Sequence, residues 1–159
     1  MRVDQDERMT IQAARDSFHD HWGYVEQPFE EEFERWTHFM KNAPDFDPSI
    51  WFLAMDGDQI AGVSLCLTET NGDPDMGWVG TLGVLRAWRR KGLGLALLRH
   101  SFDEFYRRGK RRVGLGVDAH SLTGATRLYE KAGMRVARQY ATYEKEVRPG
   151  KDLSTQSLA

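Results

Sequence analysis

An apolar run from Trp78 to Val84 gives way to Arg89-Arg90-Lys91-Gly92-Leu93-Gly94, and then to Leu95-Ala96-Leu97-Leu98, the start of an amphipathic stretch. A strand, a cationic glycine turn and a helix, in that order, restrict what such a chain can build. The first turn of a helix leaves backbone N–H groups without partners, and the aligned peptide dipoles add partial positive charge there. Glycines at 92 and 94 remove side chains that would hold an anion off the backbone. Arg89, Arg90 and Lys91 raise the local potential further. The junction suits a polyanion, above all a pyrophosphate. Its spacing, Arg89-x-x-Gly92-x-Gly94, is neither the three-glycine dinucleotide fingerprint nor the P-loop. A basic linker with a flexible glycine pair is the plain alternative.

The rest of the chain narrows the class. Its 159 residues suit one domain, since a chain of this size buries about 70% of its unfolded surface. A formal charge of −2 supplies no general field for nucleic acid or membranes. The single Cys66 lies between Leu65 and Leu67 and reads as a buried thiol of a reducing compartment. No apolar run approaches the ~18 residues of a membrane span, and the charged start is unlike a signal peptide, so a cytoplasmic location is expected.

Helical spacing of Ile11, Ala14, Phe18 and Trp22 predicts a helix from Asp4 to Trp22, with Gly23 after it. A second helix after Pro28 places Phe29, Phe33, Trp36 and Met40 on one stripe, with Glu30, Glu31, Glu32 and Glu34 as a solvated face. Strands follow at Ile50–Met55 and from Gln59 to about Thr70, joined by a hairpin at Asp56-Gly57-Asp58. Beyond the Trp78–Val84 strand, Leu95, Leu98, Phe102 and Phe105 mark a helix that closes at Arg107-Arg108-Gly109. A strand over Arg112–Asp118, a helix over Thr123–Lys131 and two strands, Met134–Gln139 and Tyr140–Val147, complete an α/β (α+β) pattern. Residues 1–148 read as a single domain and 149–159 as a polar C-terminal tail.

The phosphate junction, together with Gly114–Ala119, Thr123-Gly124-Ala125 and Leu128-Tyr129-Glu130-Lys131-Ala132-Gly133-Met134, resembles the GCN5-related N-acetyltransferase (GNAT) family. Phe18-His19-Asp20-His21-Trp22-Gly23 is similar to a single module of its mycothiol-synthase-like branch, whose members often carry two modules in tandem. The resemblance implies a mixed, mostly antiparallel twisted sheet flanked by helices. It also implies a first strand, which is missing or replaced here, because only Met1-Arg2-Val3 precede the helical pattern. Acetyl-CoA would be the cosubstrate, and its acetyl group would pass directly to a primary amine of a small molecule. Leu82, Gly83 and Val84 would pair with pantetheine, while Arg89, Arg90, Lys91, Gly92, Leu93, Gly94 and Leu95 would hold the pyrophosphate. Tyr129 would protonate or hydrogen-bond the departing thiolate. Ser121 stands where relatives carry a cofactor-contacting asparagine, and Arg86 where they carry a proline.

Several readings stay open. Glu69, Asp73, Asp75, His19, His21, Glu144 or a water chain are all candidates for the general base. Trp22, Tyr24, Trp36 and Phe39 are candidates for an acceptor wall, or are simply core. His19 and His21 face different directions on a helix, a poor geometry for a metal, and none is expected. The Arg107–Arg112 cluster is a solvated surface or a contact for the 3′-phosphate of CoA; a nucleic-acid module is the weakest use of it. A non-catalytic acyl-CoA-binding module, one half of a tandem enzyme, competes with the enzyme reading. A homodimer or a partner module would cover the place of the missing strand.

Overall fold

The structure is a computed structural model that describes residues 1–150, apart from residues 22, 45, 71, 72 and 119–123. Two helices, α1 (Glu7–Asp16) and α2 (Phe29–Asn42), precede strands β1 (Trp51–Asp56), β2 (Gln59–Leu67) and β3 (Met76–Val84). Helix α3 (Leu93–Arg107), strand β4 (Arg112–Leu115) and helix α4 (Ala125–Lys131) follow. The strands lie side by side in the order β1-β2-β3-β4. The first three are antiparallel, and β4 runs parallel to β3, with α3 as the crossover.

The sheet is covered on both faces, which is why β2 is buried without interruption from Ile60 to Cys66 instead of alternating. Helix α3 covers one face. Gly62 leaves room for Leu97, whose Cδ1 would stand 3.1 Å from an added Cβ, and the hydroxyls of Ser64 and Ser101 hydrogen-bond at 2.8 Å. Helices α1 and α2 cover the other face. There Ser17 packs directly on Gly83, where any Cβ would collide with it, and Trp36 meets Trp51 edge-on at 5.5 Å.

The structure departs from the sequence expectation at three places. Helix α1 ends at Asp16. Its chain then tightens through short-range bonds, Phe18 N–H to Arg15 O and His21 N–H to Phe18 O, which seat Ser17 on Gly83. The two strands expected over residues 134–147 are not formed. Val136, Tyr140, Tyr143 and Val147 stand more than four-fifths exposed, and a β-prone segment without a pairing edge is no strand. No strand precedes α1. Instead the Met1 amine donates to Trp51 O at 2.8 Å, beside a cavity of about 700 Å³ against β1. The tail from residue 151 lies outside the described residues. Among the described residues no helix is long and apolar enough to cross a membrane.

Candidate active site

Strands β3 and β4 stay paired from Met76↔Arg112 to Val79↔Leu115 and then part. Gly80 is the point of departure. Leu65 pairs with Thr81 and Cys66 with Val79, so Gly80 is an extra residue opposed by nothing on β2, a bulge that bends the strand. Beyond it, the Leu85 N–H bonds Ala61 O at 3.0 Å, which fixes the alternation of the ladder. Gly83 therefore turns its backbone groups to β2, whereas Leu82 and Val84 turn theirs to the side that β4 has left. That side is a sheet edge open to an extended ligand.

The edge leads into the cationic turn. Arg90 (φ 62°) and Gly92 (φ 85°) both occupy the left-handed region, so the chain curls before α3 begins at Leu93. No side chain caps the helix, and its first N–H groups, at Leu93, Gly94 and Leu95, point toward the mouth of the turn. Arg90 and Lys91 are exposed beside it. Such an end attracts an anion through both dipole and charge. Gly94 has a second duty. It is buried against α4, where an added Cβ would stand 3.0 Å from Leu128 Cδ1 and 3.6 Å from Val84 Cγ2. The two stretches on which the GNAT resemblance rests thus touch through Gly94 and Leu128.

Arg89 is engaged within the protein. Its guanidinium forms an ion pair with Asp20 and donates to Ser17 O and Val84 O, each at 2.9 Å. It ties the segment after α1 to the end of β3. The hydrogen bond from Arg89 holds the Asp20 carboxyl below its usual range. His21, half-buried with its ring 4.3 Å from that of Phe18, has its pKa lowered chiefly by burial, so it is neutral near pH 7.

Tyr129 lies on α4, half-buried against the core, and burial alone raises its pKa, which keeps the hydroxyl protonated as a donor. The Cys66 thiol is buried and pushed up by desolvation, the opposite of a nucleophile. Of the other base candidates, Asp73 pairs with Arg112, His19 with Asp16 at 3.7 Å, and Glu144 and Asp75 are exposed. Ser121 and Trp22 lie outside the described residues. Arg107 and Arg108 pair with Glu104, and Arg108 also with Asp47. Among the described residues no cluster of His, Cys, Asp or Glu is placed to hold a metal.

On the α1/α2 face a second cavity, of about 360 Å³, opens over Gly80 and Thr81, where β3 and β4 part. Trp36 and Phe39 line it and also pack against the core. Glu32 lines it too, against the expectation that its acidic run is solvated throughout. Its side chain is 25% exposed and lies 3.9 Å from Arg15 Nε. The missed signal was helical spacing: Glu32, Trp36 and Phe39 fall at i, i+4 and i+7 on one face.

A solved GCN5-related N-acetyltransferase from Sphaerobacter thermophilus superposes with a TM-score of 0.77 at 40% identity, covering 99% of this chain and 46% of that one. A putative acetyl transfer enzyme from Pyrococcus furiosus superposes at 0.67 and 20% identity, covering 91% and 95%, which supports the fold alone. The model of the acetyltransferase (GNAT) family matches residues 11–134, and the chain belongs to that family. Among named relatives, mycothiol acetyltransferase of Corynebacterium glutamicum is 33% identical over 99 residues, 62% of this chain and 32% of its own length. N-alpha-acetyltransferase 30 of Schizosaccharomyces pombe is 26% identical over 110 residues, 68% of this chain and 70% of its own. The chain thus spans about a third of the mycothiol acetyltransferases that it matches.

Proposed function

We propose that this protein moves an acetyl group from acetyl-CoA directly to the primary amine of a small molecule. The observation that carries the proposal is the parted edge of β3 leading straight into an uncapped, cation-flanked helix N-terminus. Acetyl-CoA brings an activated thioester; the protein's task is to hold the two substrates in line and manage protons. Leu82 and Val84 present backbone groups to the pantetheine amides. Leu93, Gly94 and Leu95 offer N–H groups to the pyrophosphate, with Arg90 and Lys91 adding charge and Arg89 bracing the turn from behind. As the amine nitrogen bonds the acetyl carbon and the C–S bond breaks, Tyr129, kept protonated by burial, donates its proton to the leaving thiolate. The proton the amine gives up passes to water, which reprotonates the tyrosine. Cys66 takes no covalent part.

A non-catalytic acyl-CoA-binding module, or one half of a tandem enzyme, is the second reading. It is favoured by the share of its relatives that the chain spans, 46% of the Sphaerobacter protein and 32% of the mycothiol enzyme. One experiment separates the two. CoA binding is measured by thermal shift, and thiol release from acetyl-CoA is followed with a panel of amines. Amine-dependent release supports the enzyme; a thermal shift with no release from any amine supports the binding module.

A further inference from the structure

We infer that Asp20 is a positioning residue for the pantetheine arm: it holds Arg89 on the carbonyl of Val84 and so fixes where that arm can seat along β3. The inference rests on the acetyl-CoA reading of the site and adds to it what sets the register of the arm.

That carbonyl is already taken. Val84 turns its backbone groups to the side that β4 has left, and there its oxygen accepts Arg89 Nε–H at 2.9 Å. Three groups remain on that stretch for a ligand: the N–H and C=O of Leu82 and the N–H of Val84. Pantetheine carries two amides, hence two carbonyls and two N–H groups. Two donors and one acceptor on β3 match in number both carbonyls and one N–H. An uncapped Val84 oxygen would add a second acceptor and with it a seat two residues further along. That shift moves the thioester by about 7 Å, out of line with any acceptor.

The cap is braced from behind. Arg89 Nη2 donates to Ser17 O and to Asp20 Oδ1, each at 2.9 Å, and Nη1 pairs with Asp20 Oδ2. Ser17 is buried and packs on Gly83, the residue before Val84, so the guanidinium and the carbonyl it caps share one frame. Four of the five N–H donors of Arg89 are engaged in this way. Its side chain is 24% exposed, whereas Arg90 and Lys91 are exposed beside the helix start. The first cation of the turn therefore serves the arm, and the next two are left for the pyrophosphate. Asp20 alone among the partners of Arg89 is charged and meets two of its nitrogens, the fork that fixes a guanidinium in plane. A carboxamide offers one acceptor where the carboxylate offers two.

The test titrates two ligands by calorimetry, CoA and pantetheine, the second of which lacks pyrophosphate and nucleotide. Asp20→Asn should weaken both by the same factor, about tenfold, because the loss lies on the arm that they share. Lys91→Ala, at the helix start, should weaken CoA alone and supplies the contrast. Asp20→Glu keeps the charge and should recover part of the loss with both ligands. Each titration is run well below the melting temperature of the variant, so that a merely less stable fold does not register. Weakening of CoA with no change for pantetheine would assign Arg89 to the pyrophosphate and overturn the inference. Unchanged binding of both would overturn it too, leaving Asp20 a purely structural role. So would a wild-type protein that binds CoA but not pantetheine. A wild-type protein that binds neither would instead remove the acetyl-CoA reading on which the inference rests.

Discussion

Arg89 and Asp20, 69 residues apart, pair at the point where the segment after α1 crosses the end of β3. The same guanidinium holds Ser17 O and Val84 O, so one side chain fixes the segment after α1 to the end of β3. Both partners are about a quarter exposed, and a forked pair of that kind contributes about 1 kcal/mol. Asp20→Asn should lower the free energy of unfolding by that amount, read as a lower denaturant midpoint at unchanged slope. It should also raise KM for acetyl-CoA more than it lowers kcat, as steady-state kinetics with a fixed amine would read.

Gly92 and Gly94 should fail for different reasons. A side chain at 92 meets no neighbour but is forced into φ 85°, which distorts the turn. Gly94→Val pushes on Leu128 and should cost about 1–3 kcal/mol of stability. The CoA-dependent rise in melting temperature should shrink in both variants. The free protein should melt lower in both, through backbone strain at 92 and through the collision with Leu128 at 94.

Tyr129→Phe removes one hydroxyl and keeps the ring that packs on the core. Losing a donor that acts as the thiolate develops should lower kcat and kcat/KM together, by about 10²–10³. CoA affinity by calorimetry should hold. An unchanged kcat would assign the proton to another group.

Acid should weaken the segment after α1 in two stages. The pKa of His21 is lowered in the fold by burial, so its contribution is present above the ordinary histidine value of about 6.5 and is lost as pH falls below it. That of Asp20, lowered by Arg89, is present above the ordinary value of about 3.9 and is lost below it. Urea denaturation at stepped pH should show both losses. Asp20→Asn should erase the second and spare the first.

Local chemistry made the β3–α3 junction legible. Glycines, cations and a helix start between Val84 and Leu95 mark the strand, the turn and the helix without knowledge of distant contacts. The α1/α2 face was not, because its shape depends on what meets across the fold. Helical spacing carried α1 on to Trp22, but the seat of Ser17 on Gly83 ends it at Asp16. Glu32 looked like its exposed neighbours Glu30, Glu31 and Glu34 until α2 was laid over the sheet. The pattern completed by two strands over residues 134–147 is not realised, because a strand exists only beside an edge that receives it.

The central claim, that acetyl-CoA lies along the edge β3 presents once β4 has left it, is tested most directly by amide hydrogen exchange with and without CoA. Leu82 and Val84 direct their N–H groups to that edge, while Gly83, between them, faces β2. Exchange at 82 and 84 should slow on adding CoA, together with Leu93, Gly94 and Leu95 at the helix start, and Gly83 should stay as it was. Unaltered exchange at 82 and 84 in a protein saturated with CoA would contradict the claim.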